Sequence, residues 1–321
     1  MLIIASAIAA LIPMITYLFL IWKFDRYDRE PIGLVLASYF WGSVGAIILA
    51  FIGSLIFSSF LSFFVSDKAE LEYLGTVMTA PVVEETVKGL FLLLLVKNRK
   101  FDNMTDGIVY GGAIGLGFGM TENFLYFVSY GSSLSNWIAI VIVRSLFSAV
   151  MHCVSTATFG AFLGYAKFKG TSYKLTLPLT GLILAILIHF VWNFSVSFQQ
   201  TALLGFLFML VTIVIFITVF TASITAERKI IFKELSTEAD TGLIPEKHAE
   251  ILSSKKRNRT GWVNENIRQS YIKAATTLAF RKAEFQNAKG KSKLFYQNDI
   301  EKYRQFIQNL LSGHTDENGI V

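Results

Sequence analysis

The feature that most constrains the fold is a series of seven long apolar runs, at 2–22, 32–58, 71–96, 107–129, 137–166, 175–197 and 201–225. A helix needs about 20 apolar residues to cross a hydrocarbon core roughly 30 Å thick. Each run meets that length. A segment in lipid must also satisfy its backbone hydrogen bonds internally, so each is expected as a helix. The second run stays apolar to Phe64, and it and the fifth are long enough to tilt or to continue past the core. The first run has no basic residue ahead of it, which argues for a retained helix rather than a cleaved leader. The sequence therefore predicts an all-α, polytopic membrane helix bundle of about seven transmembrane helices. Charged residues make up only 16% of the chain, against about 25% in a soluble domain. That excludes an ordinary globular enzyme and a disordered chain. A lone cysteine, Cys153, excludes a disulfide scaffold.

The charge that exists is unevenly placed. Of the 29 basic residues 17 lie beyond Ala226, as do 12 of the 23 acidic ones, so the tail carries five positive charges in excess. Two regions follow: a nearly neutral membrane domain at 1–225 and a basic, helical region at 226–321. Lys23, Arg26 and Arg29 follow the first run, Lys97, Arg99 and Lys100 the third, and Lys167, Lys169 and Lys174 the fifth; the intervening loops hold only Lys68. By the positive-inside rule these loops and the tail are cytoplasmic, and the N-terminus lies outside. Such a distribution fits a membrane face and no nucleic acid. In the tail, Asp240-Thr241-Gly242 and Pro245 break the helical pattern, and 255–259 is the basic run KKRNR. Apolar spacing predicts amphipathic helices at 263–287 and 293–311 with a hairpin at Gly290. The tail reads as a solvated cytoplasmic appendage, or as a dock for anionic lipid or a protein partner.

Four consecutive runs carry ionisable groups where these are expensive, at roughly 2.5–3.5 kcal/mol each for a charge at mid-membrane. Run three holds Glu84, Glu85 and Lys88, run four Glu122 and Asn123, run five Arg144 and His152, and run six His189 and Asn193. Glu84 and Lys88 are four apart and share a helix face, while Glu85 is turned about 100° from Glu84. Arg144, Ser148, His152 and Ser155/Thr156 form a polar stripe. Counted from the loops, the three glutamates and two histidines lie at similar depth, so packing can gather them. Gly111, Gly115 and Gly119 form small-xxx-small pairs that let helices approach closely. Each feature alone also has a plain structural reading: Glu84–Lys88 as a neutralised pair, either histidine as a buried hydrogen-bonding group, Arg144 as a counter-charge to a glutamate, and Cys153 as packing. Together they point to chemistry.

Carboxylates and imidazoles in a wet membrane cavity suit two tasks. One is hydrolysis, in which a glutamate takes a proton from water. The other is proton or ion passage, as in a proton-coupled transporter or membrane sensor. Neither an HExxH zinc helix nor a GxSG serine motif is present, and Gly117-Phe118-Gly119-Met120 lacks the aspartate of a GxGD protease. No inverted repeat of the transporter kind is seen.

Glu84-Glu85-Thr86-Val87-Lys88 resembles the EExxK motif of the PrsW family of intramembrane proteases, and Phe118-Gly119-Met120-Thr121-Glu122-Asn123 its FxxxE(N) motif. His152, and His189 through Asn193, are similar to the third and fourth motifs, in the same order over residues 75–198. The CAAX prenyl proteases are distantly similar, but they place Arg and His where this chain has Lys88 and Glu122. The resemblance implies a multi-pass peptidase of the bacterial cytoplasmic membrane. Its substrate would be a single-pass membrane protein, such as an anti-sigma factor, cut in regulated proteolysis. It implies Glu84 and Glu85 as the essential pair, one of them the base for water. Glu122, His152, His189 and Asn193 would complete the site, supported by Lys88, Asn123 and Arg144. Two chemistries stay open: Zn2+ held by Glu122, His152 and His189, or a metal-free, glutamate-dependent reaction.

Overall fold

All seven apolar runs fold as helices in the computed structural model, which describes residues 2–313 except 99, 168 and 289. Arg99, one of the expected cytoplasmic loop charges, thus lies outside the described residues. The described residues contain no strand. The helices that follow the seven runs are α1 (Leu2–Phe24), α2 (Ile32–Leu61), α3 (Lys68–Leu74, Gly75–Thr79 and Ala80–Leu95 in continuous sequence), α4 (Met104–Tyr130), α5 (Leu134–Ala166), α6 (Thr171–Val196) and α7 (Gln199–Asp240). Among the described residues, α1, α2, α5, α6 and α7 are long and apolar enough to cross a membrane. Helices α3 and α4 are not in that group, and they are the two that carry Glu84, Glu85, Lys88 and Glu122. The fold is a helical membrane bundle.

Helix starts follow local chemistry. Asn103 caps α4 in a reciprocal box with Asp106, and Asp67 and Ser133 accept backbone N–H groups at the starts of α3 and α5. Each cap satisfies amides that would otherwise lack a partner. Pro13 and Pro178 sit inside α1 and α6, as membrane helices tolerate.

Helix α4 is the centre of the bundle and is buried continuously from Thr105 to Gly119. Its glycines make this burial geometrically feasible. A Cβ on Gly115 would stand 2.1 Å from the His152 carbonyl oxygen of α5, and one on Gly117 would stand 2.0 Å from the Tyr39 carbonyl oxygen of α2. Backbone therefore packs on backbone along both faces of α4. The expected small-residue contact is a real one, and it falls beside His152.

Among the described residues, three single π-helical turns interrupt the α geometry, at Trp41–Ala46 in α2, Gly75–Thr79 in α3 and Arg144–Ser148 in α5. Such turns are rare and are frequent at functional sites. Two of them lie one to two turns from Glu84 and His152 in sequence.

The chain divides into two compact units, one of Met1–Asp25 and Arg29–Phe220 and one of Arg26–Asp28 and Thr221–Val321. Helix α7 runs on to Asp240 rather than ending near 225. In the second unit the helices α8 (Glu246–Leu252), α9 (Glu265–Asn287) and α10 (Lys291–Ser312) enclose a core that includes Ile231, Leu235, Leu252, Tyr271, Leu278 and Ile307. Gly290 makes the α9–α10 turn at φ +56°. The tail is thus a folded unit with its own interior. Within KKRNR only part is solvated: Arg257 is buried, donates to the carbonyls of Arg26 (2.8 Å) and Tyr27 (3.1 Å), and stacks over the Tyr27 ring.

Candidate active site

Four helices deliver one cluster. Helix α3 contributes Glu84, Glu85 and Lys88, α4 Glu122 and Asn123, α5 Arg144 and His152, and α6 His189. Lys88 is fully buried at the hub. Its Nζ donates to Glu85 Oε1 at 2.8 Å, reaches Glu84 Oε2 at 3.4 Å, and lies 2.9 Å from His152 Nδ1. The ring of Phe118 stands 3.9 Å away, its π face toward the ammonium. An ammonium has donors only, so His152 accepts at Nδ1 and presents Nε2–H to Glu122 Oε2, 2.6 Å away.

Glu85 and Glu84 are adjacent in sequence but differ in surroundings. Glu85 is 1% exposed and takes three donors: Lys88, Thr156 Oγ1 at 2.9 Å, and His189 Nδ1 at 3.0 Å. Because a carboxylate only accepts, His189 carries a proton on Nδ1, and in the neutral imidazole this turns the Nε2 lone pair outward. That nitrogen lies 4.0 Å from Glu84 Oε2, and Glu84, with a side chain 13% exposed, is the more open of the pair. The two imidazole rings meet edge to face with centroids 4.8 Å apart.

Glu122 is the most accessible carboxylate, at 22%. Both of its contacts fall on Oε2, from His152 and from Arg144 Nη2 at 2.7 Å, which leaves Oε1 to take a proton. Arg144 Nε donates to Asn123 Oδ1 at 3.0 Å, and its guanidinium lies 3.6 Å from the Tyr126 ring centroid. Arg144 thus lies in ion-pair contact with Glu122. Asn193 is the one expected site residue that the structure does not bring into contact with these groups. Its side-chain amide instead donates to the Thr76 carbonyl at 3.0 Å, inside the π turn of α3.

Metal-ligand geometry differs by one residue from the sequence expectation. Glu84, His152 and His189 each offer a ligand atom, and these atoms lie within 4.8 Å of one another. Glu84 stands in the trio where Glu122 was expected, because Glu122 is drawn to Arg144. One carboxylate and two imidazoles suit zinc in kind. His189 fits best, since Glu85 behind it fixes its tautomer as outer carboxylates do for metal-bound histidines. His152 would join by exchanging one of its two present contacts, because both of its ring nitrogens are engaged. Sequence reasoning placed Thr156 in a polar stripe but did not single it out; its spacing of one turn from His152 was the available signal. Phe118, against the Lys88 ammonium, opens the FxxxE(N) stretch, whereas Tyr126, against Arg144, had no signal beyond being aromatic.

Comparison with known proteins identifies the family. Residues 30–221 match the family model described as "PrsW family intramembrane metalloprotease". The chain is 29% identical over 219 residues to Protease PrsW of Bacillus subtilis, covering 67% of this chain and 90% of that protein. It is 30% identical over 194 residues to Protease PrsW of Clostridioides difficile, covering 59% and 78%. For Protease PrsW of Oceanobacillus iheyensis the figures are 28% over 193 residues, 60% and 81%. No solved structure matches the chain. The transporter reading is not favoured by these relatives, and most of the second unit lies outside the family match. With its buried Glu/His cluster and its membrane helices, the chain belongs to the PrsW family of intramembrane metalloproteases and is a multi-pass membrane peptidase.

Proposed function

We propose that this peptidase cuts a single-pass membrane protein of the bacterial cytoplasmic membrane, as the opening step of regulated proteolysis, with its tail on the cytoplasmic side. The observation that carries the reading is the division of labour among three carboxylates within one cluster: Glu85 sealed by three donors, Glu84 beside an imidazole lone pair, and Glu122 with one oxygen uncommitted.

Glu84, His152 and His189 are the residues that would hold a divalent ion. A bound ion of this kind supplies Lewis acidity toward the scissile carbonyl and the attacking water. Glu122 accepts the proton of that water through Oε1 while Arg144 and His152 keep its Oε2 in place. As the water oxygen bonds to the carbonyl carbon and the C–N bond breaks, the protonated Glu122 returns its proton to the leaving nitrogen. The products are a carboxylic acid and an amine, which separate as carboxylate and ammonium once the acid's proton passes to the amine. Lys88 keeps the Glu84 and Glu85 carboxylates together against their mutual repulsion, and its contact with His152 is the one that His152 would exchange for the ion.

The test is incubation of the purified protein in liposomes with candidate single-pass membrane proteins, with mass spectrometry of the products. Cleavage of one candidate at a membrane-proximal peptide bond, removed by 1,10-phenanthroline and restored by Zn2+, supports the reading. Cleavage indifferent to chelation would leave the peptidase but overturn the role given to the ion.

A further inference from the structure

Thr156 behaves unlike most threonines of these helices; Thr121 also reaches across to a neighbouring helix, but to a backbone carbonyl, that of Ser43, whereas Thr156 reaches a side-chain carboxylate. Thr16, Thr86, Thr158, Thr180, Thr212 and Thr218 each donate their hydroxyl to the carbonyl four residues back, the ordinary way a threonine hides its donor in an apolar helix. Thr156, 1% exposed, donates instead across to α3, to Glu85 Oε2 at 2.9 Å. The close approach of α4 and α5 fixes its position, since a Cβ on Gly111 would stand 2.5 Å from the Thr156 carbonyl oxygen. Its backbone therefore has little freedom to move.

The consequence runs through Glu85. That carboxylate spends Oε1 on Lys88 and His189, so Thr156 is the donor recorded for the other oxygen. Without it a buried carboxylate oxygen loses a hydrogen bond, which costs more than the bond itself contributes. The carboxyl plane would then be free to turn toward a substitute donor. Any such turn moves Oε1 away from His189 Nδ1, and with it the constraint that leaves the His189 Nε2 lone pair facing Glu84.

We propose that Thr156 is a positioning residue: its hydroxyl locks the Glu85 carboxylate, and through it the tautomer and orientation of His189. This deepens the proposed reading and rests on His189 serving the reaction through Nε2. Thr156 does not touch the reacting atoms; it acts by holding Glu85.

The experiment compares Thr156→Ser, which keeps the hydroxyl, with Thr156→Ala and Thr156→Val, which lack it, in full-length protein labelled with 15N-histidine in nanodiscs. The His189 signal is assigned by its loss in His189→Gln. The expected spectrum shows a neutral His189 protonated on Nδ1 in the wild type and in Thr156→Ser, and a mixture of both tautomers in Thr156→Ala. On a substrate identified as above, Thr156→Ala and Thr156→Val lower kcat by about 10- to 100-fold with KM nearly unchanged, and Thr156→Ser restores most of it. An unaltered His189 spectrum in Thr156→Ala overturns the proposal. So does an equal loss in Thr156→Ser, which would assign the effect to packing. If Thr156→Val does not fold, the Ser and Ala pair decides the matter alone. Glu84→Gln run in parallel separates the two readings: full activity there would end the assignment of the site, whatever Thr156 does.

Discussion

Glu84, Glu85 and Glu122 have the same side chain and three different tasks, set by their neighbours. Glu122→Gln removes the proton acceptor and is expected to lower kcat by about 10²- to 10⁴-fold while zinc still binds. Glu84→Gln is expected to lose both activity and zinc; metal analysis of the purified variants separates the two. Asn193→Ala should cost about tenfold in kcat, the low end of the range for an outer positioning group, because its amide holds the Thr76 carbonyl and not a reacting group. Retention of zinc but complete loss of cleavage in Asn193→Ala would place it in the chemistry after all. At this scale the sequence was informative about residue type and poor about roles. The cost of burying charge marked every glutamate and histidine of the cluster. Which carboxylate each cation engages depends on rotamers and on the π turns, and neither leaves a trace in apolar periodicity. Arg144 choosing Glu122, and so leaving Glu84 to the two imidazoles, is a case in point.

Helix α4 brings the elements together through its glycines. On Gly115, a Cβ would collide with the backbone that carries His152; on Gly112 the nearest atoms, Cys153 Sγ and Ile21 Cδ1, lie at an ordinary 3.4 Å. Gly115→Ala is therefore expected to lower stability by about 1–3 kcal/mol through overpacking and to reduce cleavage sharply. Gly112→Ala should be close to neutral in both, as read by thermal unfolding in detergent and by the cleavage assay. Equal effects of the two would mean that α4 and α5 do not meet as described. The helices themselves were legible, because seven apolar runs in lipid have no alternative to helix. A close approach to α4 was legible too, since small residues four apart have few other uses in such a helix, but its partner α5 was not. The end of α7 was not: its apolar stretch stops near residue 225, but the helix continues to Asp240 because Ile231 and Leu235 have a core of their own to enter.

At the scale of the whole chain, the family match and the first unit end together near residue 220. The second unit is held partly by charge. Burial opposes ionisation of Glu238, but hydrogen bonds from Arg304 (2.8 and 2.9 Å) and the Lys282 ammonium at 2.5 Å outweigh it and hold its carboxyl below the usual carboxylate range. A carboxyl with a lowered native pKa contributes stability that is complete above its unfolded value, about 4.3, and is lost as pH falls through the native one. Protection of α9 and α10 from limited proteolysis should thus persist from pH 7 to about 5 and fall below about 4, with Arg304→Met losing it at higher pH. An Arg304→Met unit with an unchanged acid profile would remove Glu238 from the explanation. The composition of the tail suggested a solvated appendage, because its basic excess conceals a buried interior that only tertiary packing reveals.

The account rests on one claim, that side chains from four helices form a single hydrolytic site. The most direct measurement is cleavage of one membrane substrate by wild type, Glu84→Gln, Glu85→Gln, Glu122→Gln, His152→Ala and His189→Ala in liposomes, with thermal unfolding recorded for each. The account predicts that every variant loses cleavage by about 10²-fold or more while Glu84→Gln and Glu122→Gln unfold near the wild-type temperature. Wild-type cleavage by both Glu84→Gln and Glu85→Gln would contradict it.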